Sequence, residues 1–370
     1  MLRRIWALTQ KESIQLLRMP IVYIGLTIGP ILELMLFVVA VHTDVQHIPM
    51  VVADQSLSAA SQQYLNAFTQ SAYFDIVAAV PDQKGIIDAI NRGQASIGIL
   101  IPADFADQLQ AHNASVLVLV DGSNSFVTQA ASADAAAISQ EYAISLIRTP
   151  GSVAPASALA ADFLILYNPD LKELWFLVPA FGAFLLYGIA LKMTAFAVVR
   201  EREAGTIEAL LVTPMRPIEL MIGKMLPNLV LAFLDMIFTF ALGIWIFGVP
   251  FRGSLLLFLA LAALFAMGSL GLGLAISSVS QSQVQAQQLA TLMNVAVMFV
   301  SGFMFPAYGL PWLLRLLGYT MPMTFFMSIA NGIITKGVGL DALWAPSLGL
   351  IALTGVIFYV GARLFRQDLE

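Results

Sequence analysis

Arg200-Glu201-Arg202-Glu203-Ala204-Gly205-Thr206-Ile207-Glu208-Ala209-Leu210-Leu211, closed by Thr213-Pro214, sets five charged residues in nine positions. Apolar runs long enough to cross a bilayer lie on either side of it. The block therefore belongs in water beside a membrane, and the chain belongs among polytopic membrane proteins. Thr206 can cap a short helix, Glu208 falls in the first turn where the helix dipole favours an anion, and Pro214 turns its predecessor out of helical geometry. Ile207, Leu210 and Leu211 then share one face. The spacing predicts a short amphipathic helix with a charged entry, suited to docking; a solvated loop with a basic edge is the plainer alternative.

Composition agrees. Of 370 residues, 59% are hydrophobic and 11% charged, against about 25% charged in an average soluble domain. With no Cys, disulfides, thiolate zinc sites and thiol catalysis are excluded. The net charge of −5 hides an asymmetry. Residues 42–172 hold twelve acidic and four basic side chains, which leaves the rest with eleven acidic and fourteen basic.

Working outward, residues 1–19 form a basic amphipathic helix by pattern, with Arg3, Arg4, Lys11 and Arg18 opposite Leu2, Ile5, Trp6 and Leu16. The run that follows, within 20–41, is too long for a signal-peptide core and right for a first span. Residues 42–172 then change character. Stretches 48–53, 74–80, 95–101 and 116–120 read as strands and 57–70, 82–92 and 103–112 as helices, an α/β domain. After the turn Asp121-Gly122-Ser123-Asn124, a long helix is expected over 126–147, then a linker to Tyr167-Asn168-Pro169.

The part from 173 to 370 carries further spans at 174–199, 227–249, 255–277, 287–305 and 344–362, six in all with the first. Eleven of the eighteen Lys and Arg fall on one side of this arrangement, which makes that side cytoplasmic, with both termini inside and the α/β domain outside. Between the last two spans, Pro306 and Pro322 bracket Leu310-Pro311-Trp312-Leu313-Leu314-Arg315-Leu316-Leu317-Gly318. Pro311 suits a first helical turn and Gly318 a C-terminal cap. This stretch and 325–335 are each too short to span, so 306–335 reads as a re-entrant region, a lid or vestibule.

Glu33 and Asp235 sit inside spans, where each costs about 2.5–3.5 kcal/mol on insertion scales. They serve as an ion relay or cationic-substrate contact, or as hydrogen-bonding partners of Asn228, Asn294 or Thr239. Small residues Ala262, Ala266, Ser269 and Gly273 fit close helix packing. A phosphate loop, a Gly-x-Ser-x-Gly elbow and a helical His-Glu-x-x-His are all missing. The chain is therefore expected to have no catalytic, cofactor or metal site of its own, and no nucleic-acid partner.

Glu201-Arg-Glu-Ala-Gly-Thr-Ile-Glu-Ala-Leu followed by Thr213-Pro214 resembles the signature of the ABC transporter type-2 permeases. Lys11-Glu12 with Arg18 and Pro20 resembles that family's interfacial helix. Ser301-Gly302-Phe303-Met304-Phe305-Pro306, Leu310-Pro311, Pro322 and Lys336-Gly337 resemble its segment before the last span. Asp121-Gly122-Ser123 and Asn168-Pro169 resemble its bacterial inner-membrane exporters, which carry a large external domain. Asn331 departs from the Arg common at that position.

The resemblance implies that 200–213 is a coupling helix resting with helix 1–19 on a cytoplasmic ATPase, which binds ATP and magnesium. It also implies two permease subunits, identical or related, in the bacterial cytoplasmic membrane, with lipids and a periplasmic adaptor as further partners. The function expected is ATP-driven outward movement of amphipathic, drug-like or lipid-associated compounds. Alternatives are an ion-coupled secondary transporter using Glu33 and Asp235, or a non-transporting scaffold that presents the external domain.

Overall fold

The structure is a computed structural model that describes residues 45–148, 159–203, 205, 230, 232–234, 236–241 and 243–367. The helix expected over 1–19 with Lys11, Glu12 and Arg18, the first span with Glu33, residues 206–213 of the charged stretch, and Asp235 lie outside the described residues.

The acidic segment forms one five-stranded sheet, built from β1 (Ile48–Asp54), β2 (Phe74–Ala79), β3 (Ile97–Ile101), β4 (Ala114–Asp121) and β5 (Leu159–Leu166) in the order β2-β1-β3-β4-β5. Neighbours are parallel except β3 and β4. The helices are α1 (Ala59–Gln70), α2 (Gln83–Asn91), α3 (Phe105–Gln110) and α4 (Ser125–Arg148). Their starts follow from local chemistry. Ser58 and Ser61 cap α1 reciprocally, Asp82 accepts the Gly85 N–H at 2.8 Å, and Asn124 Oδ1 accepts the Phe126 and Val127 N–H groups. Tyr64 of α1 is fully buried, bonds Ser139 of α4 at 2.8 Å and meets the Tyr142 ring at 5.3 Å, which locks these two helices over one face of the sheet. Ile86, Ala89 and Ile90 of α2 cover the other face against Val51, Ala53 and Leu119.

The linker expected between Thr149 and Tyr167 is in part a strand instead. Residues 159–166 are strand β5, paired along its length with β4 from Ala114↔Leu159 to Asp121↔Leu166. As an edge strand it leaves Phe163 and Leu164 exposed, so its apolar residues never show the alternation of a half-buried strand.

The remaining helices are α5 (Leu174–Glu203), α6 (Leu255–Val279), α7 (Gln283–Val300), α8 (Trp312–Tyr319), α9 (Pro322–Asn331) and α10 (Leu340–Gln367), with a shorter apolar helix, Ala232–Phe247, between α5 and α6. Among the described residues, Leu174–Phe196, Leu255–Val279 and Leu340–Gly361 are long and apolar enough to cross a membrane. The span expected over 287–305 is α7, which stops at Val300 because Ser301 ends it and Gly302 turns to a φ of 86°. Gln283, Gln285, Gln287, Gln288 and Asn294 make it more polar than those three.

α6 is the hub, packing on α5, α9 and α10. In lipid, apolar surface alone gives helices little reason to associate, so close approach has to do it. A Cβ on Gly273 would stand 2.4 Å from the Leu191 carbonyl oxygen, and Ala262, Ala266 and Ser269 are fully buried beside it. The Phe265 and Phe326 rings stack at 4.3 Å and 4°.

Candidate functional site

At the charged stretch, α5 runs past its apolar part to Glu203, so Arg200, Glu201, Arg202 and Glu203 form its final turn, in place of the expected charged entry to a separate short helix. Arg200 and Glu203 are exposed. Glu203 accepts the Gln283 backbone N–H at 2.9 Å and the Gln283 side-chain amide at 2.5 Å. It thereby satisfies an orphan donor and places a carboxylate at the positive end of α7. Gly205 follows in the left-handed region, φ 68°, a conformation that a helix adopts to stop. Nothing local in the sequence marks the Gln283 tie, the partners being eighty positions apart.

A second cluster gathers at the junction of the α/β domain with the helices. α8 and the run Pro322–Lys336 are bent by 83°. The corner is held by the Thr324 hydroxyl on the Gly318 carbonyl at 2.5 Å and by the Met321 N–H on the same carbonyl at 2.9 Å. Gly318 is thus not the expected cap. It lies buried inside α8, where a Cβ would stand 2.3 Å from the Val300 carbonyl oxygen, and Thr320 ends the helix. Pro311 sits at the N-cap, one place before the first turn expected for it, and Pro322 is the first residue of α9. Pro306 opens a 3-10 turn, Ala307–Gly309. Arg315 fastens that turn, donating to the carbonyls of Ala307 at 3.0 Å, Leu310 at 3.4 Å, and Tyr308. Tyr308 reaches up against the core of the α/β domain, and burial pushes its hydroxyl well above the usual tyrosine range.

α9 ends in a π-helical turn, Gly332–Lys336, and Gly337 reverses the chain at φ 75°. Lys336 then crosses to the α/β domain. Its ammonium meets the Asp121 carboxylate and the Ile90 carbonyl at 2.5 and 2.9 Å and lies 5.8 Å from the Tyr167 ring centre. Both charged side chains are largely buried, at 8% and 13% exposure. Tyr167 donates to Asn91 Oδ1. Its hydroxyl is pushed up to about 12, first by burial and then by the Asp121 charge. Beneath, Arg252 donates to the Thr335 carbonyl at 2.9 Å and stands over the Trp175 ring. Asn168 brackets Lys172 through both backbone groups, at 3.0 and 3.1 Å, and so sets the entry into α5.

The motif residues Asp121, Asn168, Lys336 and Gly337, scattered along the sequence, therefore converge on one junction. Arg315 and Pro306 hold its floor. Among the described residues no three His, Asp or Glu side chains could together hold a metal ion. Asn294, considered as a partner of Asp235, has a buried amide oxygen with no partner among the described residues.

A family model described as ABC-2 family transporter protein matches residues 13–364. The chain is similar to the probable multidrug ABC transporter permease YbhR of Escherichia coli K12, with 28% identity over 370 residues and all of both chains covered. It is also similar to the probable multidrug ABC transporter permease YbhS of the same strain, with 28% identity over 369 residues and 98% and 94% covered. With the inner membrane transport permease YhhJ of that strain it shares 27% identity over 334 residues, covering 87% and 86%.

Proposed function

The chain belongs to the ABC-2 transporter family, and from that membership we propose that it is the permease subunit of an exporter driven by a separate cytoplasmic ATPase. The observation that carries the coupling is α5 itself: one continuous helix joins the bundle core at Leu186, Tyr187 and Leu191 to its charged last turn, where Arg200 and Glu203 are exposed. A push on that end is passed rigidly to the hub helix α6 through the Leu191–Gly273 contact, and through Glu203 to the start of α7. ATP binding in the partner closes its two halves and pulls on 200–213, and the bundle shifts between two states in proportion to how differently the ATPase engages each. Arg200, Glu201, Arg202 and Glu203 set register at that interface, and Ile207, Leu210 and Leu211 pack it.

In this reading the chain crosses a bacterial inner membrane six times with both termini in the cytoplasm. The α/β domain stands outside, 306–335 is re-entrant beneath it, and two permease subunits pair. The substrates are amphipathic or drug-like compounds moved outward, a class consistent with the relatives named as probable multidrug permeases.

The test is ATP turnover by the partner ATPase reconstituted in lipid with the chain and with Glu201→Ala/Glu203→Ala. The intact chain is expected to stimulate turnover severalfold, and the double variant, inserted to the same level, to lose most of that gain. Equal stimulation by both removes the coupling role from this stretch.

A further inference from the structure

Below the α/β domain and against the bent α8–α9 pair lies a cavity of about 550 Å³, within the range of about 300–1,000 Å³ usual for small-molecule sites. One part of its lining is apolar: Phe176, Phe325, Met327 and Leu343. The other part is charged, and the charges do not cancel. Arg92, Arg315 and Lys336 face a single carboxylate, Asp121, an excess of two positive charges (three minus one).

Each charge has a distinct standing. Lys336 and Asp121 neutralise one another at 2.5 Å. Arg315 is bonded only to carbonyl oxygens, which are dipoles, so its unit charge has no counter-ion among the described residues. Arg92 follows the last residue of α2 at the exposed rim of the cavity, where water screens it, and its side chain has neither hydrogen bond nor ion pair among the described residues, which leaves it free to turn to a ligand. One more lining group that can donate to an anion, the Ser301 hydroxyl, is buried without a partner among the described residues. A buried polar atom left unbonded costs free energy, so this position favours an occupant with an acceptor to offer it.

We propose that this cavity binds an amphipathic organic anion. Its carboxylate, sulfonate or phosphate head is met by Arg92 and Arg315, and its apolar body lies against Phe176, Phe325, Met327 and Leu343. A cation of the same shape meets the positive charges of Arg315 and Arg92 and a carboxylate already taken by Lys336. An apolar molecule without a head leaves the arginines and the Ser301 hydroxyl as they were. A free amphipathic acid and an anionic lipid share the required chemistry. The binding site stands on the cavity alone, and its place on an outward route rests on the permease reading.

The test uses the full chain in nanodiscs of phosphatidylcholine and a dansylated undecanoic acid, compared with its analogue ending in trimethylammonium. Saturable binding of the acid is expected, weakened about tenfold or more by Arg92→Glu, equivalent to about 1.4 kcal/mol. Ser328 lines the cavity yet is exposed, so Ser328→Trp fills the space without disturbing the core and is expected to abolish saturation. Unchanged affinity in both variants, or equally tight binding of the ammonium analogue, overturns the proposal. Displacement by phosphatidylglycerol added to the disc assigns the site to a lipid headgroup, and lack of displacement assigns it to a free acid. ATPase stimulation is read separately: its absence with binding intact removes the export reading alone, and stimulation without binding removes the site alone.

Discussion

Breaking the Lys336–Asp121 pair from one side should loosen the seam between the α/β domain and the helices. Removing one member of a buried ion pair costs about 3–5 kcal/mol because it strands the other charge. The lower figure applies here. After Asp121→Asn, Lys336 keeps the Ile90 carbonyl at 2.9 Å and the Tyr167 ring. After Lys336→Met, the carboxylate keeps the Ser123 N–H at 3.0 Å. About 3 kcal/mol from either change corresponds to roughly a hundredfold faster hydrogen exchange through local opening, read at the end of β4 and in the π-helical turn, in nonionic micelles. The double variant leaves no stranded charge and is expected to exchange more slowly than either single one, giving a coupling of about 3 kcal/mol or more in the cycle. Additive losses in the double variant would show that the two residues act independently and would refute the reasoning.

Gly273→Val should force α5 and α6 apart, since its Cβ falls 2.4 Å from a backbone oxygen that cannot step aside; overpacking of this kind costs about 1–3 kcal/mol, seen as earlier thermal unfolding in micelles. Gly355→Ala, with open space around it, is the silent control. Tyr167, raised to about 12 against 10.0 when unfolded, contributes stability that is complete below pH 10 and lost as pH rises toward 12, because the unfolded chain ionises first. Protection against hydrogen exchange around β5, taken relative to the intrinsic base-catalysed rate, should therefore fall across that window, and Tyr167→Phe should flatten the fall; an unchanged profile in the variant assigns it to another group.

Legibility in the sequence follows how local each signal is. Helices α5, α6 and α10 announce themselves by unbroken apolar length, and β1 to β4 by short apolar runs between turn residues. β5 does not, because an edge strand half in solvent carries no alternation and is defined by β4 rather than by its own residues. α7 ends at Val300, earlier than its apolar run implies, because Ser301 and Gly302 turn the chain and Gly318 of α8 needs the space at the Val300 carbonyl.

The junction divides in the same way. Its residues stood out one by one as motif fragments, Asp121-Gly122-Ser123, Asn168-Pro169 and Lys336-Gly337, and the charged block at Arg200–Glu203 was plain from its contrast with the apolar runs on either side. Composition and periodicity, which act over a few turns of chain, were enough to decide a membrane bundle carrying an α/β domain. That Lys336 would meet Asp121, 215 positions away, or Glu203 the start of α7, was decided only by tertiary structure. A buried ammonium is stable only where the fold brings a carboxylate and a carbonyl to it, and the sequence spacing of the partners carries no trace of that meeting.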